Sequence, residues 1–479
     1  MNVDDIPWAP LYIASEWALR IAALIIVPQR RTAASARAWL LLILFWPWPG
    51  VVIYLLIGRA YLPRRRLALE KKIRDTIRRV EPRVMSGSRA TWGESGQAHL
   101  PALQLAAQLS EFPPVEGNRF ELLPDYDPAI ARLVADIDAA RRFAHLLYYI
   151  FADDETGRRV AEALIRAARR GVVVRVLMDA VGSRAGLARV APSLRAAGAE
   201  VIAVMPLRVW GHNAARFDLR NHRKIAVIDG AVAYFGSQNI VGNRANPGLV
   251  NEELAVRATG PIVRHLHALI IADRYLETDD LPPEVDLRSP WTGSTASGGR
   301  AQVLPSGPGY YEGTAETIMI ALMYGAESHI VLTAPYVVPS EAFLAAMCTA
   351  ARRGVEVELI VDSKSNKPLV QLAQQSCYDA MLAAGVKVLR RTGSFLHAKH
   401  MSVDDDIVLI GSSNLDIRSF ALNAEVSVLI RDAGVAGELH RIQALYRIDA
   451  DRVTLEERAG VSSMRRTLEN LARLTDSVL

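Results

Sequence analysis

The stretch His222–Asn239, HRKIAVIDGAVAYFGSQN, shares one frame with a second stretch that starts 175 residues later, His397–Asn414, HAKHMSVDDDIVLIGSSN. Both read H-x-K-x4-D-x6-G-S-x-N without a gap. A lone H-x-K carries little information, but two copies of a six-position frame at equivalent places point to a duplicated unit built around its chemistry. In an extended strand, residues i and i+2 project to one face, so His222 with Lys224, and His397 with Lys399, reach into the same small volume. Asp229-Gly230 lies between two apolar runs and suits a hairpin turn. Asp229 and Asp404 are grouped with the catalytic set, a turn or ion-pair role being the alternative, since Asp is a favoured turn residue. G-S-x-N then falls at the end of the returning strand, where the amides of Asn239 and Asn414 can donate to an oxyanion, with Ser412 beside them.

The duplication extends outward from these frames. AARRGV occurs at Ala167–Val172 and again at Ala350–Val355, each time closing a helical run with a glycine cap and leading into an apolar strand, VVVRVLMD or VEVELIVD. Ala-Ala-Gly recurs at 196–198 and 383–385, again ahead of a short apolar run, and HLLYYIF (145–151) and HIVLTAPYVV (329–338) read as the first strands of the two halves. Helix and strand alternate throughout. The fold class is therefore α/β, two pseudo-repeated α/β domains with largely buried sheets, at 116–299 and 300–479. The Pro/Gly/Ser/Thr-rich stretch Leu281–Gly299 is read as the joint.

Residues 1–62 read as a membrane anchor with two hydrophobic segments, about 9–27 and 38–57. Ala38–Ile57 is twenty residues without a charge, the length of a spanning helix. Ala9–Val27 carries Glu16 and Arg20, an i,i+4 pair whose charges offset one another in a weaker span. The acidic start MNVDD is unlike a cleaved signal peptide. Residues 63–115 read as a basic juxtamembrane helix and linker. Between 59 and 89 there are eleven Lys/Arg and three acids, a net of +8, which leaves the rest of the chain at −3 out of a total of +5. Leu69, Ile73, Ile77 and Val80 form one apolar stripe on that helix, for which a seat on anionic lipid and a solvated linker are both open. Arg30, Arg31 and Arg37 lie between the two segments, so positive-inside counting places both flanks of the second one in the cytoplasm. Pro47, Pro49 and Gly50 in mid-segment suggest a re-entrant hairpin, and the C-terminal bulk is placed on the cytoplasmic side.

Two imidazoles, two ammonium groups and two amides meeting at one seam suit a phosphate diester. A neutral imidazole attacks phosphorus while a protonated one gives its proton to the leaving alkoxide. Lysines and amides neutralise the phosphoryl oxygens, so neither a metal nor a cofactor is called for. Each imidazole needs its other nitrogen anchored, and N-x-E in both halves nominates Glu253 and Glu425. The remaining histidines have no matching frame; His265-x-His267 lacks an evident third metal ligand. Two cysteines, Cys348 and Cys377, exclude a disulfide framework and read as core fillers. Confinement of positive charge to one block beside an apolar anchor argues against a nucleic-acid partner.

These frames resemble the HKD signature of the phospholipase D superfamily, and the chain is similar to its bacterial cardiolipin synthase family over nearly its whole length. The likeness includes the W-P-x-P-G core (Trp46–Gly50), YYIFADDETG (148–157), LRNHRKIAVIDG (219–230), TAPYVVPS (333–340) and GSSNLDIRSFALNAE (411–425). It implies two phospholipase D-like domains and a transphosphatidylation at the bacterial inner membrane. One phosphatidylglycerol is cleaved to a phosphatidyl-histidine and a second attacks to give cardiolipin, with His222 as nucleophile and His397 as acid and base. GSQN in the first half departs from the GGxN that the resemblance leads one to expect in many relatives, which puts a functional role for Ser237 in doubt. A hydrolytic phospholipase D would share every catalytic residue and stays open as the alternative. A catalytically dead scaffold would be expected to have lost a His or Lys, and neither frame has. The sequence leaves oligomeric state, acyl preference and the second substrate open.

Overall fold

The structure is a computed structural model, described here for residues 8–30, 33–58, 62, 64–85, 88–93, 99–207, 219–244, 249–281, 298–307, 310, 313–365 and 367–474. His212 and most of the expected joint, 282–297, lie outside the described residues.

The two halves build one continuous fifteen-stranded sheet among the described residues. From its outer edge the first half contributes Glu200–Val204, Val173–Asp179, Phe143–Tyr148, Lys224–Ile228, Val232–Gly236, Ala255–Thr259 and Val115–Leu123. The second half repeats the order in mirror image from the seam outward. Its strands are Gly299–Ser306, Glu425–Arg431, Ile407–Gly411, His400–Val403, His329–Thr333, Glu356–Asp362 and Lys387–Arg391, followed by a last strand, Ala450–Arg452. The seam is the antiparallel pairing of Val115 with Ala301 and Asn118 with Gly299. Parallel crossovers carry helices that cover the sheet, which is why the strands read as continuous apolar runs.

The repeated hexapeptide does the same work twice. Helix Glu155–Arg169 starts where the Asp154 side chain accepts from the Gly157 N–H, and helix Glu341–Arg352 where Ser340 accepts from Phe343. Both stop at a glycine with positive φ, +87° at Gly171 and +95° at Gly354, a backbone setting that side chains resist. The chain turns there directly into strands Val173–Asp179 and Glu356–Asp362.

Both N-terminal hydrophobic segments are helical, and the second is interrupted at the prolines. The long apolar helix is the first, Trp8–Ile26, with Arg20 3.4 Å from Glu16 and its Nε donating to the Leu44 carbonyl. The uncharged stretch 38–57 is broken, with one helix at Ala33–Phe45, a bend at Trp46 (φ −132°, ψ 79°) and another helix at Pro47–Ile57. Pro47 and Pro49 favour a helix start there and deny the first helix a continuation. The second helix folds back on the first so closely that a Cβ on Gly50 would lie 2.9 Å from Ile43 Cα. At about 1.5 Å per residue these helices are about 20 and 17 Å long, short of the ~30 Å hydrocarbon core.

Neither option for the basic helix holds. Over Arg64–Val84 its apolar stripe is neither on lipid nor in solvent: Ile73 and Ile77 are buried with Leu69 and Val80 against the protein core, where helix Ile262–Thr278 receives them. Arg66 reaches Glu277 at 2.6 Å and Arg74 reaches Glu111 at 3.3 Å, while Lys71, Lys72, Arg78 and Arg79 stay exposed. Burying the stripe on a neighbouring helix satisfies the amphipathic pattern without a membrane.

Candidate active site

The H-x-K segments sit where strands from the two halves converge. Lys224 opens strand Lys224–Ile228, and His222 precedes it, its N–H donating to the Ala424 carbonyl of the other half at 2.8 Å. Symmetrically, the His397 N–H donates to the Glu252 carbonyl at 2.7 Å, next to the short parallel pairing of Phe395–Leu396 with Asn251–Glu252. Each half thus lays an extended segment against the N-x-E segment of the other.

That exchange decides the anchors. His397 Nδ1 is hydrogen-bonded to Glu253 Oε1 at 2.7 Å, and His222 Nδ1 lies 3.2 Å from Glu425 Oε1. Each imidazole is oriented by a glutamate from the opposite half, a cross-pairing the sequence frame does not reveal. With Nδ1 engaged, Nε2 is the nitrogen left for the cavity. Lys224 and Lys399 each donate to the carbonyl of their own histidine, both at 2.6 Å.

His222, Lys224, Asn239, Glu253, His397, Lys399 and Asn414 line one cavity of about 510 Å³. Asn239 accepts from the Ile150 N–H through Oδ1 at 3.1 Å, which leaves its amide nitrogen as the donor group, and Oδ1 of Asn414 has no hydrogen-bond partner. Burial dominates the electrostatics. It pushes His397 down to about 4, against the opposing pull of Glu253, and it lowers His222 against Glu425. Burial also brings Lys399 down to about 7 and lowers Lys224, with the lysines repelling one another. Burial thus favours neutral imidazoles and leaves the lysine charges poorly solvated, and an anion bound between them would oppose each of these shifts.

Two expectations are corrected. Asp229 and Asp404 do not reach the cavity. They sit in the hairpin turns, with φ of +54° and +47°, about 16 Å along the strand from the lysines at ~3.3 Å per residue. Asp229 accepts the backbone N–H groups of Arg141, Arg142 and Phe143 at 2.7–2.9 Å, and Asp404 accepts those of Glu327, Ser328 and His329, together with His99 Nε2 at 2.8 Å. These donors hold Asp404 far below the usual carboxylate range despite its burial. Both aspartates tie the hairpin to the start of a neighbouring strand, Phe143–Tyr148 or His329–Thr333, which is the second strand of its half after Val115–Leu123 or Gly299–Ser306, not the first as expected. Ser412 is fully buried, its hydroxyl donating to Glu425 and accepting from the Val426 N–H, so it steadies the anchor of His222 instead of facing a phosphate.

The cavity also holds groups that the frames do not contain. Tyr149 packs on His222 with ring centroids 3.9 Å apart, and Lys367 stands 4.6 Å over the ring of Tyr336. Arg220 and Arg418 add cations to the wall. Arg220 is set by Asp179, whose other oxygen accepts from the Asn221 N–H immediately before His222. Tyr149, Arg220, Tyr336 and Arg418 fall in the stretches 148–157, 219–230, 333–340 and 411–425 quoted above, whereas Lys367 stands in none of them. His265 and His267 hold no common site: His267 contacts His145 at 2.9 Å, and His265 lies 3.5 Å from Glu81.

The profile of the family described as "Cardiolipin synthase, PLD-like domain" matches residues 133–272 and 319–444. Cardiolipin synthase A of Pectobacterium atrosepticum is 35% identical over 449 residues, 91% of each chain. The proteins of that name from Yersinia pseudotuberculosis and Erwinia tasmaniensis are 35% and 34% identical over 88% and 93% of each chain. The crystal structure of phosphatidylserine synthase from Haemophilus influenzae superposes with a TM-score of 0.59 at 16% identity, covering 80% of this chain and all of that one, a likeness of fold. With the His, Lys and Asn of both frames lining one cavity and both repeats matched, the chain belongs to the cardiolipin synthase family of phospholipase D-like proteins.

Proposed function

We propose that the protein is a phosphatidyltransferase that makes cardiolipin and free glycerol from two molecules of phosphatidylglycerol. The observation that carries this reading is the pair of imidazoles, each anchored through Nδ1 by the opposite half's glutamate and both lining one cation-rich cavity. In the first step His222 Nε2 attacks phosphorus and the bond from phosphorus to the glycerol oxygen breaks. His397, protonated once the anionic diester is bound, gives its proton to that oxygen. Lys224, Lys399, Asn239 and Asn414 hold the phosphoryl oxygens as charge develops, so the charge role needs no metal. Glycerol leaves a phosphatidyl-histidine. The terminal hydroxyl of a second phosphatidylglycerol then gives its proton to His397 and attacks phosphorus, and the P–N bond breaks. Because the first bond's energy is kept in the P–N bond, no nucleotide is consumed.

The relatives' name and the apolar helix Trp8–Ile26 support a membrane setting with phospholipid as partner. We place the protein in the bacterial inner membrane with the two domains, 116–299 and 300–479, on the cytoplasmic side and no nucleic-acid partner. Trp8–Ile26 then crosses once, and 33–57 enters and returns on the same side. That arrangement keeps Arg37 and the +8 block on one face, in line with positive-inside counting. Incubating the purified chain with head-group- and acyl-labelled phosphatidylglycerol vesicles in EDTA tests the reaction. Cardiolipin plus glycerol, absent with His222→Ala and His397→Ala, is the expected outcome. Phosphatidic acid plus glycerol would make the protein a hydrolase.

A further inference from the structure

Far from the cavity, three side chains that no sequence frame connects come together. His329 opens strand His329–Thr333, His440 lies on helix Ala433–Ile448, and Asp405 occupies the hairpin turn after strand His400–Val403. The Nε2 atoms of His329 and His440 are 3.4 Å apart, and Asp405 Oδ1 lies 3.9 Å from His329 Nε2. One ligand atom from each of the three falls within 4.8 Å of the others. Tetrahedral zinc with Zn–N bonds of about 2.0–2.1 Å requires an N···N edge of about 3.3–3.4 Å, which the imidazole pair already provides. Asp405 is largely exposed, so its side chain can swing in to complete the third vertex.

The proton inventory supplies an independent argument. Ser328 Oγ has one hydrogen, and it is donated to Asp404 Oδ1 at 2.6 Å. The 3.0 Å contact between Ser328 Oγ and His329 Nδ1 must then have Nδ1–H as its donor. His329 Nε2 therefore carries a lone pair, and that lone pair points at the other imidazole. An imidazole whose far nitrogen is fixed through an oxygen acceptor to a carboxylate has the outer arrangement typical of metal-bound histidines.

We propose that His329, His440 and Asp405 form a surface site for a borderline divalent transition ion, zinc being the best fit to an N2O donor set, with water in the remaining position. The ion would clamp the Asp404–Asp406 turn to helix Ala433–Ile448 and strand His329–Thr333, at the opposite end of the hairpin from Lys399. It takes no part in the transfer chemistry.

The test uses the full chain in detergent, stripped with chelator and dialysed, then titrated with Zn2+ alone against a chromophoric chelator. One ion per chain is expected, weakened at least tenfold by His440→Ala and by His329→Ala, and unchanged by His222→Ala. Cu2+ spin-echo spectra of the unaltered chain give a readout that needs no variant, and should show coupling to two imidazoles. The site is overturned by a stoichiometry near zero, by binding that survives both substitutions, by loss in His222→Ala, or by a spectrum with no imidazole pair.

Discussion

The crossed anchors make a prediction that separates the roles of the two histidines. Glu253→Gln removes the carboxylate that His397 Nδ1 bonds at 2.7 Å while keeping the shape of the side chain. The imidazolium formed in catalysis then loses a charge partner about 4 Å from its centre, worth about 4 kcal/mol at an effective dielectric constant near 20. At 1.36 kcal/mol per decade this is about a 10³-fold loss in kcat. Because His397 is the acid, the loss should depend on how much the leaving alcohol needs a proton. The assay compares phosphatidylglycerol with a phosphatidyl nitrophenyl ester, whose leaving group departs unassisted, and follows the release of glycerol or nitrophenol. Glu253→Gln and His397→Ala should be nearly normal in the single-turnover burst of nitrophenol and crippled with the natural lipid. Glu425→Gln and His222→Ala should fail with both, while circular dichroism remains native for all four. Rescue of Glu425→Gln instead would exchange the roles of the histidines, and rescue of neither would refute the crossed-anchor reasoning.

The pH dependence follows from the same cavity. With Lys399 lowered to about 7, its charge in the free site is present below that pH and lost above it, so kcat/KM for anionic lipid should fall as pH rises through about 7. Binding a diester should take up protons near pH 8, seen as a dependence of calorimetric enthalpy on the buffer's ionisation enthalpy. Asp362 is buried, and burial pushes it up to about 7 against the pull of the backbone N–H groups of Lys364, Ser363 and Leu396. The folded protein therefore binds its proton more tightly than the unfolded chain, and stability falls between about pH 4 and 7 and stays low above. Asp362→Asn should raise Tm at pH 8 and leave it little changed at pH 4. Arg223, 1% exposed, reaches Asp273 at 2.6 Å and the Glu425 carbonyl at 3.0 Å; Arg223→Met should cost about 3–5 kcal/mol in chemical denaturation by leaving Asp273 buried and unpaired. Ser35→Cys in inverted and right-side-out vesicles should label only from the cytoplasmic face, and labelling from outside would show that 33–57 crosses.

The duplication, the α/β alternation and the His, Lys and Asn members of the cavity were legible because they repeat at fixed spacing in the chain. So were Glu253 and Glu425, through the paired N-x-E. Which glutamate serves which histidine was not legible, because it depends on Phe395–Leu396 lying against Asn251–Glu252 across the seam, a long-range pairing without a local pattern. Periodicity located the apolar stripe of Arg64–Val84 but not its partner, since a stripe reads the same against lipid as against helix Ile262–Thr278. The break in 38–57 was written in Pro47, Pro49 and Gly50; an uncharged run measures hydrophobic length and is blind to a bend. Spacing alone also placed Asp229 and Asp404 with the catalytic groups, although the strand between each lysine and its aspartate carries them to opposite ends.

The central claim is that one covalent site is made from both halves, with the phosphatidyl group carried on His222. The most direct measurement is mass-spectrometric peptide mapping, after an alkaline quench, of the full chain and of His397→Ala, each incubated with the nitrophenyl phosphatidyl ester as donor and phosphatidylglycerol as acceptor. A phosphatidyl adduct on the His222 peptide in both proteins, accumulating in His397→Ala because no base activates the second alcohol, is the predicted result. An adduct on His397 in the unaltered chain, or turnover to cardiolipin with no histidine adduct under any quench, would contradict it.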